Sequence, residues 1–563
     1  MAAVSSLPKA KFAEAATVAA EPVWRPIALF TLVFIAACVM FFINLGAHPL
    51  FNPDEALYAE PAREMLETGE YVTTLLNYVV RYTKPPLVIW AMAGSYQVFG
   101  VNEFAARFVG ACCGAVAVAF AYLMIEKYAS RRAALIAACT LITSPLFIGT
   151  AREAITDMPL VLTTSAALFS FFHSFASKLP RWKWAGYALV GLAVMTKGPV
   201  GLILPAAIMF AFHYLRGDLK EAWQHHKPLL GLLVVALIAV PWFAVEIYVT
   251  KGAYYREFLL RENFQRFTAV VDHKFPWWYH FAVIAGGYLP WTIFIPQAIV
   301  SALKSFTWMP RASKIPGYGV CRQLPTPQAF SLFNLLTLGI IVAFFSISVS
   351  KLIPYTLPAF PALAALVGVY LDKVLRERNH KALLFPFMVL TAALGVGLAI
   401  LPVAVNRLRE APAELIGILY SALLVLLVIG VVSAFSAFRR RTAAALAFFA
   451  VTFYASMLGF GGRALDVLSR DWEVPLIKFA QYAAVTKWPI FVFHMRKPSI
   501  PFYAHRPVKN PYDEAELIHD LGETNGAYIL GKVKDAHFFE SLPNCRIVAR
   551  DGRFLLVAQR PSR

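Results

Sequence analysis

The chain has 563 residues, 59% of them hydrophobic and 15% charged, with a mean hydropathy of +0.60 and a formal net charge of +19. A soluble domain of this length needs far more polar surface, so the composition excludes a soluble globular class and makes lipid the solvent for most of the chain. The basic balance falls where membrane topology puts it, as set out below, and gives no reason to invoke nucleic acid.

A spanning helix needs about 20 largely apolar residues. About thirteen stretches meet that criterion, centred near residues 35, 114, 141, 167, 188, 207, 238, 290, 339, 363, 392, 422 and 451. Lipid cannot satisfy backbone polar groups, so these stretches are expected as helices. The first, Pro26 to Leu45, has no small-residue cleavage motif after it and reads as an anchor that stays. The N-terminus, with Lys9, Lys11 and Arg25, is placed inside. The inside loops then carry Lys127, Arg131 and Arg132; Lys178, Arg181 and Lys183; and Arg216, Lys220 and Lys227. Further along they hold Lys304, Arg311, Lys314 and Arg322; Lys373, Arg376, Arg378 and Lys381; and Arg439 to Arg441. Every one is basic, as the positive-inside rule requires. An odd number of spans puts the C-terminus outside.

Residues 1–462 are expected to form a transmembrane domain with outer loops at 46–103 and 250–278. Residues 463–563 change character and predict a small outer α/β domain. Trp488–Met495, Gly526–Leu530, Cys545–Ala549 and Phe554–Ala558 read as strands, and Val474–Val485, Asp513–Leu521 and Asp535–Leu542 as helices. Six cysteines, four of them within apolar spans, suggest no disulfide framework.

Four polar segments fall on the outer side: Phe51 to Met65, Tyr82 to Leu87, Ala151 to Pro159 and Ser350 to Pro358. Asn52, Pro53 and Glu55 fit a capping box, which would leave Asp54 and Glu55 as complements of a helix dipole. Asp157, two residues before Pro159, could likewise cap a span, with Arg152 and Glu153 paired nearby. Against these bland readings, Asp54 and Asp157 share a face and a depth, and carboxylates at a membrane edge are costly without partners or a task. Lys84, Lys197 and Lys351 are the cationic counterparts. Lys197, before Gly198-Pro199, is read as offsetting helix-end carbonyls. Lys84 and Lys351 begin apolar segments, where that argument fails, and are read as phosphate-gripping, with Tyr82 and Tyr355 as hydroxyl donors. His273 has no histidine or cysteine nearby at ligand spacing, so it reads as a surface residue. A divalent ion held by Asp and Glu oxygens is left open.

These segments resemble the GT-C superfamily of membrane glycosyltransferases, in the bacterial branch related to protein mannosyltransferases and especially the lipid A aminoarabinose transferases. The resemblance is carried by Asp54-Glu55 with Tyr58-Ala-Glu and Ala62-Arg-Glu-Met, by Tyr82-Thr-Lys-Pro-Pro-Leu, and by Arg152-Glu-Ala-Ile-Thr-Asp-Met-Pro-Leu. Met195-Thr-Lys-Gly-Pro-Val and Ser350-Lys-Leu-Ile-Pro-Tyr add to it. Two departures concern substrate contacts: Leu57 stands where many relatives have Arg, and Thr83 where Glu often precedes the lysine.

The resemblance implies transfer of 4-amino-4-deoxy-L-arabinose from undecaprenyl phosphate to a lipid A phosphate, on the periplasmic side of the bacterial inner membrane. Resistance to cationic peptides is the expected consequence. A phosphate leaving group needs cations, assigned to Lys84 and then to Lys351, Arg266 and Arg152, with Tyr58 in the substrate-binding set. Asp54 is the candidate catalytic carboxylate, with Asp157 and Glu55 as partners. An acceptor phosphate is already ionised, so Asp54 is expected to orient it or to bind the sugar's ammonium rather than act as a base. Two alternatives stay open: another polyprenyl-phosphate sugar passed to protein or glycolipid, and a transporter or flippase. The second predicts polar residues at mid-bilayer, and few are found.

Overall fold

The computed structural model describes residues 24–265, 275–307, 313–315, 318–321, 326–407 and 412–560. Arg266 and His273 of the predicted outer loop lie outside the described residues.

The chain opens with α1 (Trp24–Phe42), followed by α2 (Ala56–Thr68), a short hairpin of β1 (Leu75–Leu76) and β2 (Val79–Val80), and α3 (Leu87–Phe99). Next come α4 (Glu103–Tyr128), α5 (Arg131–Thr143), α6 (Pro145–Ala151), α7 (Asp157–Ser177), α8 (Arg181–Lys197), α9 (Val200–Arg216), α10 (Leu219–His226) and α11 (Pro228–Val249). A π-helical stretch, Tyr255–Gln265, leads toward α12 (Tyr279–Gly287) and α13 (Ile295–Thr307). Beyond β3 (Ser313–Ile315) and β4 (Tyr318–Cys321) lie α14 (Thr326–Ile347), α15 (Phe360–Arg376), α16 (Lys381–Arg407), α17 (Ala413–Phe438) and α18 (Thr442–Trp472).

Among the described residues, eight helices are long and apolar enough to cross a membrane, or ten if each of two bent pairs is one span. The bends have local causes. Between α5 and α6 the chain turns by 66° at Ser144-Pro145. A residue before proline is driven out of the helical region, and Ser144 is extended at φ −74°, ψ 122°. The segment expected as one span near residue 290 is folded back by 113° around Pro290. Burial sorts the helices. The best apolar window of α7 is 78% buried and that of α17 only 11%, so α7 runs through the helical core and α17 lies at its periphery. Small residues permit close backbone approach: a Cβ on Gly110 of α4 would lie 2.7 Å from the Glu153 carbonyl oxygen.

Helix α18 runs ten residues past the expected boundary at 462 and is followed by α19 (Val474–Ala484), β5 (Ile490–Val492), α20 (Ser499–Ala504), α21 (Glu514–Gly522), β6 (Ala527–Lys532), α22 (Ala536–Ser541), β7 (Cys545–Asp551) and β8 (Phe554–Gln559). The sheet order is β5-β6-β8-β7, with only the β5–β6 pair parallel. Side chains alternate across a strand, and both faces here are covered. Ala527, Ile529, Leu555 and Val557 pack with Phe539 and Leu517. Tyr528, Leu530, Phe554 and Leu556 share a second core with Leu50, Tyr58, Met65, Val88 and Met92. That second face therefore rests on the segment that follows α1.

Candidate active site

The segment between α1 and α2 does not form the expected capping box. The Asn52 amide points away from the helix start. Its Nδ2 donates to Glu473 Oε2 at 2.5 Å and to Ser499 Oγ at 2.6 Å, and its Oδ1 accepts from the Ser499 backbone N–H at 3.0 Å. Glu55 is buried and its lone pairs are taken. Arg107 donates to both of its oxygens at 2.7 Å, while the backbone N–H groups of Ala154 and Phe51 donate at 2.9 and 2.8 Å. A carboxylate accepts about four hydrogen bonds, so Glu55 is corrected from candidate catalytic residue to clamp: it ties the Asp54 turn to α4 and to the Glu153 loop. Arg107 completes the clamp by donating to the carbonyls of Leu45, His48 and Pro49.

Arg152 is also corrected. Its guanidinium donates to the carbonyls of Met40, Phe41 and Ile43 at 2.8 to 3.2 Å. It closes the C-terminal end of α1, where orphan carbonyls and the helix dipole favour a cation. Those contacts commit its Nη1 to the end of α1.

Asp54 remains exposed. Its carboxyl is held above the usual aspartate range, first by desolvation and then by Asp157 and Glu55. Glu153 is pushed up to about 8 by burial, with Glu55, Asp157 and Asp54 adding to the shift. These effects identify one acidic neighbourhood assembled from the α1–α2 turn and the α6–α7 loop, as expected for Asp54 and Asp157.

The cation that meets this neighbourhood is Lys197. Its Nζ lies 2.5 Å from Asp157 Oδ1 and 5.0 Å from the centre of the Tyr355 ring. Lys197 ends α8, and Gly198-Pro199 turns the chain so that its ammonium faces α7. The sequence reading as a carbonyl-offsetting lysine is thereby overturned. Lys351 shows the reverse. It is 4% exposed, and its Nζ donates to the Ser348 carbonyl at 2.5 Å.

A cavity of about 420 Å³ opens beside Lys197, lined by Lys84, Glu262, Asn263, Ser348, Ser350 and Tyr355 on its polar side. Val200, Ile203, Leu259, Phe344 and Phe345 line the apolar side. Lys84 Nζ is 3.9 Å from Glu262 Oε2, and both side chains are mostly covered. Tyr82 stands behind this wall, edge-on to Tyr254 at 6.5 Å. Tyr58 is buried beneath Arg81, whose guanidinium lies 5.0 Å from its ring centre and donates to the Leu57 carbonyl. Arg81 and the pairing of Lys197 with Asp157 were not singled out from sequence. The motifs from Arg152 to Leu160 and from Met195 to Val200 carried the signal for the two members of that pair.

Three or more metal-ligand side chains gather close enough for one ion, among the described residues, only at His519, Asp520 and Glu523 on and just after α21. That is not the acidic neighbourhood of Asp54.

The family described as dolichyl-phosphate-mannose-protein mannosyltransferase matches residues 83–244, the stretch that holds Lys84, Asp157 and Lys197. An uncharacterized protein of Aquifex aeolicus is 30% identical over 366 residues, covering 65% of this chain and 68% of that protein. The undecaprenyl phosphate-alpha-4-amino-4-deoxy-L-arabinose arabinosyl transferase of Pseudomonas aeruginosa (strain LESB58) is 30% identical over 414 residues, covering 71% and 69%. Its counterpart in Pectobacterium carotovorum is 28% identical over 385 residues, covering 66% and 65%. The chain thus spans about two thirds of the length of these relatives. In fold it is similar to the crystal structure of ArnT from Cupriavidus metallidurans bound to undecaprenyl phosphate, with a TM-score of 0.77 and 24% identity over 96% of this chain and 98% of that one. It is also similar to the oligosaccharyltransferase AglB of Archaeoglobus fulgidus, at a TM-score of 0.50 and 12% identity over 91% and 70%.

Proposed function

The chain belongs to the undecaprenyl phosphate-alpha-4-amino-4-deoxy-L-arabinose arabinosyl transferase family, and on that premise we propose that it moves this aminosugar from undecaprenyl phosphate to a lipid A phosphate. The observation that carries the reading is the two-sided cavity. Its apolar wall suits a polyprenyl chain, and its polar end presents Lys84 and Lys197.

An acceptor phosphate oxygen attacks the anomeric carbon of the sugar, and the bond from that carbon to the donor's phosphate oxygen breaks. Undecaprenyl phosphate leaves with the electron pair and an added negative charge. Preorganised cations stabilise charge that develops in the transition state; Lys84 and Lys197 supply them. Asp157 holds the Lys197 ammonium in place. Asp54, open to the acceptor side, orients the incoming group or binds the sugar's ammonium. A divalent ion enters the proposal only as an oxygen-bound counter-charge to Asp54 and Glu153. Unchanged transfer after EDTA treatment removes it.

The proposal extends to topology. Thirteen crossings of the inner membrane would place the Asp54 neighbourhood, residues 250–278 and the C-terminal sheet in the periplasm, consistent with the basic residues of the opposite loops. Lipid-linked donors suit that side, where nucleotide sugars are absent.

The test is transfer by the purified protein. Undecaprenyl-phosphate-linked aminoarabinose and lipid A should yield a product heavier by one pentosamine on a phosphate. No product from this donor, with product from another polyprenyl-phosphate sugar, would replace the substrate assignment. Movement of the donor across proteoliposomes without bond formation would replace the enzyme class.

A further inference from the structure

We propose that Glu473, at the junction between α18 and the C-terminal sheet unit, is a positioning residue for Asp54, and that the sheet unit is thereby part of the reaction machinery. The inference rests on the reading of Asp54 as the carboxylate that meets the acceptor.

Glu473 is 3% exposed. A buried carboxylate is costly unless paired and hydrogen-bonded, and the partners here are specific. Lys497 Nζ lies 3.3 Å from Oε1, the Asn52 backbone N–H is 3.4 Å from the same oxygen, and Asn52 Nδ2 donates to Oε2 at 2.5 Å. Ser499 completes the hold on the Asn52 side chain from both its hydroxyl and its backbone N–H. The Lys497 ammonium in turn sits 5.8 Å from the centre of the Phe554 ring on β8. A continuous chain of contacts therefore runs from the sheet through Lys497 and Glu473 to Asn52, two residues before Asp54.

Two further ties reach the same short segment from the same side. His48 Nδ1 lies 3.1 Å from Asp466 Oδ1 near the end of α18. The Leu50 backbone N–H donates to the Tyr503 hydroxyl at 2.9 Å, and that hydroxyl donates to Glu103 Oε1 at 2.9 Å. Residues 48, 50 and 52 are thus held by the end of α18 and the C-terminal unit, while Glu55 is held by Arg107 on α4. Asp54 lies on the short turn between these anchorages and is itself exposed. Two residues span at most about 7 Å, so a displacement of Asn52 passes directly to the Asp54 carboxylate. A misplacement of about 1 Å in a reacting geometry can cost on the order of a hundredfold in rate.

A purely structural seam would need only the apolar face of the sheet, which already packs on Leu50, Tyr58 and Met92. The polar chain through Glu473 adds direction to that packing, and directional hydrogen bonds are what fix the orientation of a turn.

The experiment uses the full-length protein in nanodiscs with the undecaprenyl-phosphate-linked aminosugar and lipid A. Glu473→Ala is expected to lower kcat about tenfold, with donor KM close to the parent. Asn52→Ala should behave alike, and the double variant should be no worse than either single one, because both break the same connection. Glu473→Gln keeps an acceptor oxygen for the Asn52 amide and should recover most of the rate. Parental kcat in Glu473→Ala, or additive losses in the double variant, overturns the inference. If Glu473→Ala does not fold, Asn52→Ala and Ser499→Ala carry the test, and parental kcat in both overturns it. The underlying reading fails separately: full activity in Asp54→Asn removes Asp54 from the reaction whatever Glu473 does. An inactive Asp54→Asn beside a parental Glu473→Ala removes the positioning role alone.

Discussion

The Lys197 ammonium lies 2.5 Å from the Asp157 carboxylate, joining the end of α8 to the start of α7 between the cavity and the acidic neighbourhood. The Lys351 ammonium is turned instead to the Ser348 carbonyl. The two lysines should therefore separate in function. Lys197→Met is expected to raise the donor KM tenfold or more and to lower kcat, by roughly the 1.5–3 kcal/mol of a lost hydrogen bond to a charged group. Lys351→Met should leave donor KM near the parental value. Steady-state kinetics with the lipid-linked donor checks both, and a reversed order would return the phosphate to Lys351.

Asp54→Asn should reduce kcat by about a hundredfold while donor binding persists, the order of magnitude of a lost acid–base or orienting group. Because desolvation and the neighbouring acids hold Asp54 above the usual aspartate range, the rate of the parent protein should fall as acid protonates it at a pH above that of an ordinary aspartate. Asp54→Asn should lack that acid limb. A parental rate in the amide variant would remove the assignment.

Arg152→Ala should cost stability rather than affinity. Its guanidinium serves the last carbonyls of α1 from a half-buried position. A loss of about 1.5 kcal/mol is expected, read as a lower thermal midpoint, with the donor KM unchanged. A selective rise in KM would restore the phosphate role read from sequence.

Glu64 provides a prediction for stability against pH. It lies buried on α2, where desolvation and then the adjacent Glu60 push its carboxyl up to about 8. A carboxyl raised in the folded state contributes stability below its unfolded value near the usual glutamate range, and that contribution disappears as pH rises through about 8. The thermal midpoint should therefore fall as pH rises from the usual glutamate range to about 8 and level off above it. Glu64→Gln, which cannot ionise, should flatten that fall, and an unchanged slope in the variant would locate the transition elsewhere.

Much of the helical framework was legible from residues alone, because periodicity and apolar length act within one segment. The strands at 490–492, 527–532, 545–551 and 554–559 also fell within or beside the predicted ones. The segments near residues 141 and 290 are each expected as one span, and the structure breaks them at Pro145 and around Pro290. Where a helix fails to run straight, the cause is again local, as at Ser144.

What the sequence by itself determined, then, is lipid as the solvent, helices as the elements and one neighbourhood shared by Asp54 and Asp157. Only the tertiary structure decided which polar groups are spent and which are available. Glu55 looked equivalent to Asp54 until Arg107, 52 positions away, occupied it. Asn52 looked like a helix cap until Glu473, 421 positions away, claimed its amide. Local signals report backbone conformation, whereas a side chain's partner depends on which remote segment packing brings within about 3 Å.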